Sequence, residues 1–386
     1  MTKIKLFYKH KPAYNNLETD DLEISSIWQF NKMTSIHNIL DTCGLDYEWT
    51  DKEEEGIVFL DFGSRNIKDL EPFIEKYGNI YKKCVVFSSQ EPLFVQDKDY
   101  DILEKYPNVI ISDNMIPIYD NTHERHCSIH YFASRHVNNE LNEITIYPWQ
   151  NFEKKDRRYR FNNLKSRWTP DKFLMQYLLE QNNLIKNNLV TYRPPANLTE
   201  DNIRKVKEML RKGEDLSFLD YLKECKESQI ENDKLEIVGI DGRRTPVVRY
   251  HPPEVYNECY FSLISENVNS ADFVWLSDKT LYPILNGHPF IVFGNHGLHI
   301  ELEAIGFRLF ENIFNYDFDT EYLPLVRAED IINQCKEFNR KEYVSMHKEI
   351  LEISLHNRKN FANTNSRLWQ VVRKQVERLI EKYNDL

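Results

Sequence analysis

The chain has 386 residues, of which 41% are hydrophobic and 13% aromatic, enough apolar material for two or three globular cores. This composition excludes a disordered or low-complexity protein. The net charge of −11 at pH 7 disfavours binding of nucleic acid through bulk charge. No apolar run approaches the roughly 20 residues that span a bilayer, and no signal peptide is evident. We therefore expect a soluble, cytoplasmic protein with no membrane partner.

In the first 150 residues, continuous apolar runs are predicted to be strands buried on both faces of a parallel sheet. These runs are residues 57–60, 84–87 and 109–111. Small or acidic residues follow each run, where an open α/β sheet places its ligand-facing loops. Asp61, Glu91 and Asp113 are the acids at these strand ends. Residues 1–152 are therefore predicted to form a first α/β domain.

A basic segment leads into a second domain. Between residues 154 and 167 the chain carries seven lysine and arginine side chains against one acid, Asp156. Such a cluster in an acidic protein indicates either a specific anionic ligand or a solvated linker face. Residues 159–164 are predicted to form a strand. Thr169 and Pro170 are then predicted as the N-cap and first residue of a helix.

The alternation of strands and helices continues towards the C-terminus. Strands are predicted at 260–264, 289–293 and 307–310, and helices at 278–286 and 299–305. Residues 198–235 are polar and helix-prone, which indicates a helical insertion. Residues 366–386 are amphipathic and are predicted to form a C-terminal helix that packs on the body of the protein. The second α/β domain is therefore predicted to span residues 153–365.

The segment 260–319 carries the most informative polar residues. A buried strand delivers Glu266 to its carboxyl end, and a later helix opens with Ser277 as N-cap and Lys279 in its first turn. Helix N-termini present free N–H groups and partial positive charge, which suit phosphates. A lysine there opposes the helix dipole, so it favours an anionic ligand. Asp278 would accept hydrogen bonds from ribose or sugar hydroxyls, although the helix dipole alone also explains an acid at this position.

These motifs resemble a known signature. The residues concerned are Glu266-Asn267, Asp278-Lys279-Thr280 and the segment from Gly287 to Gly294. They look like the donor-site signature of fucosyltransferase-like and exostosin-like glycosyltransferases. The resemblance is clear over residues 260–319 and extends more weakly to residues 161–167. The family more often has glutamate at the position of Asp278. The aspartate side chain is shorter, so its carboxylate reaches less far.

The resemblance implies a fold of the GT-B type, with two doubly wound, Rossmann-like domains facing a cleft. Residues 1–152 would form the acceptor side and residues 153–365 the nucleotide-sugar side. The implied donor-binding residues are Arg167, Lys165, Glu266, Asn267, Asp278, Lys279, Thr280 and Gly294. Lys279 and Arg167 would bind the diphosphate, with Glu266 and Asp278 on the ribose or donor sugar. Animal Golgi relatives carry a membrane anchor, and no such anchor is evident in this sequence. The chain is therefore similar to soluble bacterial or viral members instead.

The predicted activity is hexosyl or pentosyl transfer from a nucleotide-diphosphate sugar to a hydroxyl of a glycan or small molecule. The departing diphosphate carries negative charge, which two cations and a helix N-terminus would stabilise, so neither a metal nor a cofactor is predicted. If the reaction inverts the anomeric centre, a carboxylate or imidazole would take up the acceptor proton. Asp61, Glu91 and Asp113 are the candidates, and Glu91 is favoured because it lies on a sharp loop after a strand.

Other signals leave alternatives open. His123, His126, Cys127 and His130 have spacings that could ligate zinc or iron, yet no recognisable metal motif accompanies them. We expect these histidines to be exposed or to face the acceptor, where one could replace Glu91 as base. The six cysteines show no paired spacing, which predicts reduced thiols.

Two further functions remain as alternatives to sugar transfer onto a glycan. One is a viral enzyme in the host cytoplasm that adds sugar to a hydroxymethylated DNA base. The basic run at 154–167, with Tyr159 and Trp168 interleaved, would then follow phosphates. The other is a non-catalytic module that binds a nucleotide sugar.

Overall fold

The structure is a computed structural model of the chain. The described residues are 4–7, 36–50, 52, 54–62, 70–87, 101–113, 126–128, 156–165, 168–192, 199–209, 237–238, 244–245, 253–266 and 274–384. For Asp61, Asp113 and Asp278 the description covers the backbone. The chain divides into two compact units. Unit 1 comprises Met1–Thr145 and Asn360–Leu386, and unit 2 comprises Ile146–Lys359.

Unit 1 contains parallel strands built from the apolar runs. They are β1 (Ile4–Phe7), β2 (Tyr47–Thr50), β3 (Val58–Asp61), β4 (Cys84–Phe87), β5 (Val109–Asp113) and β6 (His126–Ser128). Strands β3 to β6 pair in that order. β1 pairs with β2, and a parallel bridge from Leu6 to Ile57 sets β1 beside β3. The order is therefore β2-β1-β3-β4-β5-β6, which confirms the predicted strands at 57–60, 84–87 and 109–111.

Helices cover this sheet because their apolar residues recur at helical spacing. The described helices of this part are α1 (Ile36–Cys43), α2 (Leu70–Gly78) and α3 (Asp101–Lys105). In α2 the buried residues are Leu70, Phe73, Ile74 and Tyr77, which fall on one helical face. They pack with strand residues such as Leu60 in one hydrophobic cluster.

Unit 2 has its own parallel sheet. Its strands are β7 (Tyr159–Asn163), β8 (Leu189–Val190), β11 (Cys259–Ser265) and β12 (Phe290–Phe293), in the order β12-β11-β7-β8. Every pair in this sheet is parallel. A separate antiparallel pair consists of β9 (Ile237–Val238) and β10 (Arg244–Thr245). The chain goes from β7 outward to β8, then returns to β11 on the other side of β7.

Side-chain caps mark the start of several helices of unit 2. The described helices of this unit up to residue 345 are α4 (Pro170–Gln181), α5 (Glu200–Met209), α6 (Pro253–Glu258), α7 (Asp278–Leu285), α8 (Leu298–Ala304), α9 (Pro324–Glu337) and α10 (Arg340–Ser345), with a 3-10 turn at Asp317–Thr320. Thr169 caps α4 by accepting a hydrogen bond from Lys172 N at 3.3 Å, and Pro170 opens the helix. Ser277 caps α7. Both predicted helix starts are confirmed.

The predicted strand at 307–310 is wrong. The structure has an irregular segment there, because its backbone groups pair with side chains instead of a neighbouring strand. Asn357 accepts a hydrogen bond from Arg308 N at 2.7 Å and donates one to Arg308 O at 2.8 Å. Phe310 N donates to the Tyr316 hydroxyl at 3.2 Å. Tertiary contacts of this kind have no local sequence signal.

Two helices complete the chain, α11 (His347–Ala362) and α12 (Arg367–Asn384). Along α12 the buried residues are Leu368, Trp369, Val372, Gln375, Val376, Leu379 and Tyr383. The Tyr383 hydroxyl donates to Asn108 O at 3.0 Å, which fastens α12 within unit 1. No described helix combines the length and the apolar character that crossing a membrane requires. The architecture is mixed α/β with parallel sheets.

Candidate nucleotide site in unit 2

The strand order of unit 2 locates a candidate site. In open α/β sheets, ligands bind beyond the carboxyl ends of the strands where the direction of winding reverses. In unit 2 this point lies between β7 and β11, because β8 is on one side of this pair and β12 on the other. Lys165 follows the end of β7, and Glu266 follows the end of β11. Two of the predicted donor-binding residues, Lys165 and Glu266, therefore lie at the reversal point.

Side-chain hydrogen bonds join β7 and β11 below this edge. Asn162 Nδ2 donates to Ser262 Oγ at 3.0 Å. Asn163 Nδ2 donates to Leu263 O at 2.6 Å and to Ser265 Oγ at 3.1 Å. The four polar side chains are buried, and such groups are stable in an interior only when they are bonded. These bonds hold the two strand ends in one fixed relation.

Glu266 fastens the N-terminus of α7. Its side chain is fully buried. Oε1 accepts hydrogen bonds from Ser277 N at 3.0 Å and from the Thr280 hydroxyl at 2.5 Å, and Oε2 accepts one from the Ser277 hydroxyl at 2.5 Å. The carboxylate thus links the end of β11 to the first turn of α7. A direct contact between Glu266 and a sugar hydroxyl stays a prediction, since these bonds would have to be exchanged for it.

Lys279 lies in the first turn of α7 and is half-buried. Its Nζ is 3.3 Å from Ser277 Oγ, and its backbone N donates to the same hydroxyl oxygen at 3.2 Å. The ammonium group therefore stands at the N-terminus of a helix whose first N–H groups face the same end. Thr280, by contrast, is buried and its hydroxyl is used on Glu266.

Lys165 has an interior position. Its side chain is 1% exposed, and Nζ donates to Gln176 Oε1 of α4 at 2.9 Å. The ammonium also lies 5.9 Å from the centre of the Tyr192 ring. Lys165 thus connects the end of β7 to α4. Its predicted contact with a donor phosphate would require the side chain to leave these partners, and it stays a prediction.

Two arginines of the basic segment, Arg157 and Arg160, are used in folding. Arg157 is buried, and its guanidinium donates to the backbone carbonyls of Tyr256 and Cys259, the latter at 3.1 Å. Arg160 donates to Cys335 O at 2.6 Å. These two arginines therefore secure backbone around the sheet.

The loop after β12 approaches Glu266 closely. A Cβ atom added at Gly294 would lie 2.5 Å from Leu298 Cδ1 and 3.7 Å from Glu266 Cβ. The glycine therefore permits close packing of the strand end on the start of α8. Asn295 Oδ1 accepts a hydrogen bond from Trp275 N at 3.3 Å, which ties this loop to the segment before α7. The loops after β11 and β12 are thus connected.

No sequence pattern predicted the buried histidine–aspartate pair behind this loop. His299 Nδ1 donates to Asp319 Oδ1 at 2.8 Å, and Nε2 accepts from Val292 N at 3.2 Å, so the ring is the neutral tautomer protonated at Nδ1. Asp319 Oδ2 also accepts from His299 N at 2.9 Å and Ile300 N at 3.2 Å. The one hint in the sequence was that Asp319 lies at the end of the segment 260–319, which carries the resemblance.

Arg327 of α9 is a second residue that no sequence pattern singled out. Its side chain is buried and its NH2 donates to Gly294 O at 3.1 Å. NH1 donates to Glu321 O at 2.6 Å and Tyr322 O at 2.9 Å. One guanidinium therefore holds the end of β12 and the segment before α9 together.

The other candidate residues end strands or lie outside the described residues. Asp61 and Asp113 end β3 and β5. Glu91, Arg167 and Asn267 lie outside the described residues, as do His123 and His130.

Cys43, Cys84, Cys259 and Cys335 are free and buried, as expected of reduced thiols. Burial raises the pKa of Cys43 and Cys335 to about 12, which makes these thiols unreactive.

Comparisons with known proteins give one structural likeness of note. No family model matches the chain, and no curated protein matches it. Four solved chains match, among them the crystal structure of an alpha1,3-fucosyltransferase, with 11% sequence identity and a TM-score of 0.40. The match covers 92% of this chain and 93% of that one. At this identity and TM-score, the likeness by itself assigns no donor, acceptor or reaction to the chain.

Proposed function

We propose that the chain is a glycosyltransferase that binds a nucleotide-diphosphate sugar at the carboxyl edge of the unit 2 sheet. One observation carries the proposal: at the reversal point of this sheet, a fully buried carboxylate holds the helix N-terminus that bears Lys279. Such a fixed array of N–H groups and a cation is complementary to a diphosphate. The motif resemblance at Asp278-Lys279-Thr280 points to the same ligand.

In the proposed reaction, the acceptor oxygen attacks the anomeric carbon and the nucleoside diphosphate leaves with the electrons of the broken bond. Lys279 and Arg167 would stabilise the charge on the departing diphosphate. Asp278 would accept a hydrogen bond from a ribose or sugar hydroxyl. Glu266 would act as a positioning residue, because it fixes the first turn of α7. The charge of these groups would suffice to stabilise the departing diphosphate without a metal ion. Measuring nucleotide binding with and without Mg²⁺ would test this.

The acceptor proton needs a base. The sequence favours Glu91, but the strand order of unit 1 favours Asp61. The winding of that unit reverses between β1 and β3, and Asp61 ends β3. Asp113 ends β5, two strands further along. We propose Asp61 as the base. Asp61→Asn is then expected to lower turnover about 100-fold or more with nucleotide affinity unchanged, whereas Glu91→Gln and Asp113→Asn retain turnover.

Calorimetry of the full chain against UDP, GDP, CDP and ADP tests the donor site. We expect one of these to bind, and Lys279→Ala to weaken it about 10- to 150-fold, as for loss of a charged hydrogen bond. Lys336→Ala is the matched control, since Lys336 is an exposed lysine of the same unit. No binding to the unaltered chain, or equal binding by Lys279→Ala, would refute the assignment. Binding without sugar transfer would instead indicate a non-catalytic module.

A further inference from the structure

An exposed aromatic ring lies on the segment that Arg327 ties to the end of β12. Of the five exposed large hydrophobic side chains in the described residues, three lie on the segments around the loop after β12: Ile300, Tyr322 and Leu323. Tyr322 is 62% exposed, the largest fraction of the five. Most tyrosines bury their ring and leave the hydroxyl in water, so a tyrosine this open suggests a surface made for contact.

The ring of Tyr322 is held in place from one side. It stacks on the His296 ring, with 4.1 Å between ring centroids and 15° between planes. His296 Nε2 donates to Thr320 O at 3.1 Å, which fixes the imidazole in turn. The backbone of Tyr322 is bound by the buried guanidinium of Arg327 at 2.9 Å. The exposed ring is therefore ordered before any ligand arrives.

The same contacts link this aromatic pair to the proposed phosphate site. Arg327 also binds Gly294 O, at the end of β12, and Gly294 packs against Glu266. Glu266 in turn holds the helix that carries Lys279. The chain of contacts from Tyr322 to Lys279 thus runs along one sheet edge through groups that are buried and bonded.

We infer that Tyr322, backed by His296, is the platform on which the base of the nucleotide stacks. The inference rests on the proposed function. A nucleobase offers a flat π face, and stacking on an aromatic ring contributes to binding whatever the base. A ring that is already ordered loses little conformational freedom when the base arrives. The platform supplies affinity for the base, while the N-terminus of α7 supplies affinity for the diphosphate.

Calorimetry with the nucleoside diphosphate that binds best tests the platform. Tyr322→Ala and Tyr322→Leu should each weaken binding about 5- to 150-fold, because both remove the π face. Tyr322→Phe should bind as the unaltered chain does, since it keeps the ring. The exposed position means that each variant should fold, which thermal unfolding would check.

The outcomes separate this inference from the proposed function. If the unaltered chain binds a nucleotide and Tyr322→Leu binds it equally well, the platform is refuted while the nucleotide site stands. If Tyr322→Phe loses as much affinity as Tyr322→Leu, stacking is also refuted, because the ring was retained. If no nucleoside diphosphate binds the unaltered chain, the proposed function falls and the platform with it.

Discussion

The two sheets share a winding pattern but differ in what their strands are made of. In both units the chain reverses direction beside its first strand, between β1 and β3 in unit 1 and between β7 and β11 in unit 2. Among the described strand side chains of unit 1, Ser112 is the one buried polar residue. In unit 2, Asn162, Asn163, Ser262 and Ser265 are buried along the two strands that flank the reversal point.

This difference shows where the molecule accepts a cost in stability. Apolar strands stabilise a sheet through burial alone. Buried amides and hydroxyls avoid a net loss of stability only when each is hydrogen-bonded. A second bonded group follows at the next residue of β11's end, where Glu266 binds Ser277 and Thr280 in the turn that carries Lys279. A rigid polar network of this kind is expected where a charged ligand must meet groups that do not rearrange.

The largest effect on stability is expected from a substitution in the apolar core of unit 1. Leu60 is completely buried on β3 and packs within the main hydrophobic cluster of that unit. Leu60→Ala should destabilise unit 1 by about 3–5 kcal/mol through lost burial and the cavity left behind. Denaturant unfolding, with hydrogen exchange on β4 to report on unit 1, measures it. Leu323→Ala, at a 44% exposed leucine, is the control and should change stability by less than about 0.5 kcal/mol.

Nucleotide affinity should survive Leu60→Ala wherever unit 1 is still folded, because the proposed donor site belongs to unit 2. A loss of affinity in the folded variant would contradict this division of roles.

A somewhat smaller effect is expected from breaking the polar network of unit 2. Glu266→Ala leaves Ser277 N and two hydroxyls without their acceptor. We expect a loss of about 3 kcal/mol in the stability of unit 2, together with weaker nucleotide binding. Denaturant unfolding and calorimetry measure the two effects. Glu337→Ala removes an exposed glutamate of the same unit and should change neither. Equal behaviour of the two variants would show that the network does not position α7.

The smallest effect concerns pH. His288 is fully buried in unit 2, and its pKa lies well below 6.5 because of burial and, second, the nearby charge of Arg157. The unfolded chain takes up a proton below about pH 6.5 that the folded chain does not, so stability falls as the pH falls. His288→Gln removes this dependence. The stability difference between the unaltered chain and the variant should shrink by about 1.4 kcal/mol per pH unit below pH 6.5.

Unfolding in urea at several pH values between 5 and 7 measures this slope. A difference that stays constant over that range would mean that His288 has the same pKa in the folded and unfolded chain.

Local signals in the sequence were sufficient for several strands and for two helix starts. Continuous apolar runs predicted β3, β4 and β5, and the pairs Thr169-Pro170 and Ser277-Asp278 marked two helix starts. These features act over a few residues, so the sequence contains them directly. The predicted strand at 307–310 failed because Asn357, far along the chain, takes up its backbone groups.

Side-chain direction at the site was harder to predict for the same reason. Position after a strand suggested that Lys165 and Glu266 face a ligand, yet both point into contacts with other elements. Arg327 lies in an ordinary amphipathic helix, and its bonds to Gly294 and Tyr322 arise only when the chain has folded. The sequence thus located the residues at the sheet edge. It did not show which of them are held in hydrogen bonds within the protein and which are left to contact a ligand.

Hydrogen exchange of the full chain with and without the best-binding nucleoside diphosphate tests the central claim most directly, because it reports where the ligand lies. The proposed site predicts slower exchange at the first turn of α7, from Asp278 to Thr280, and in the loop after β12, from Gly294 to Gly297. Amides of β3 to β5 should exchange at the same rates in both samples. Binding that protects unit 1 alone, or that leaves both segments of unit 2 unchanged, would contradict the claim.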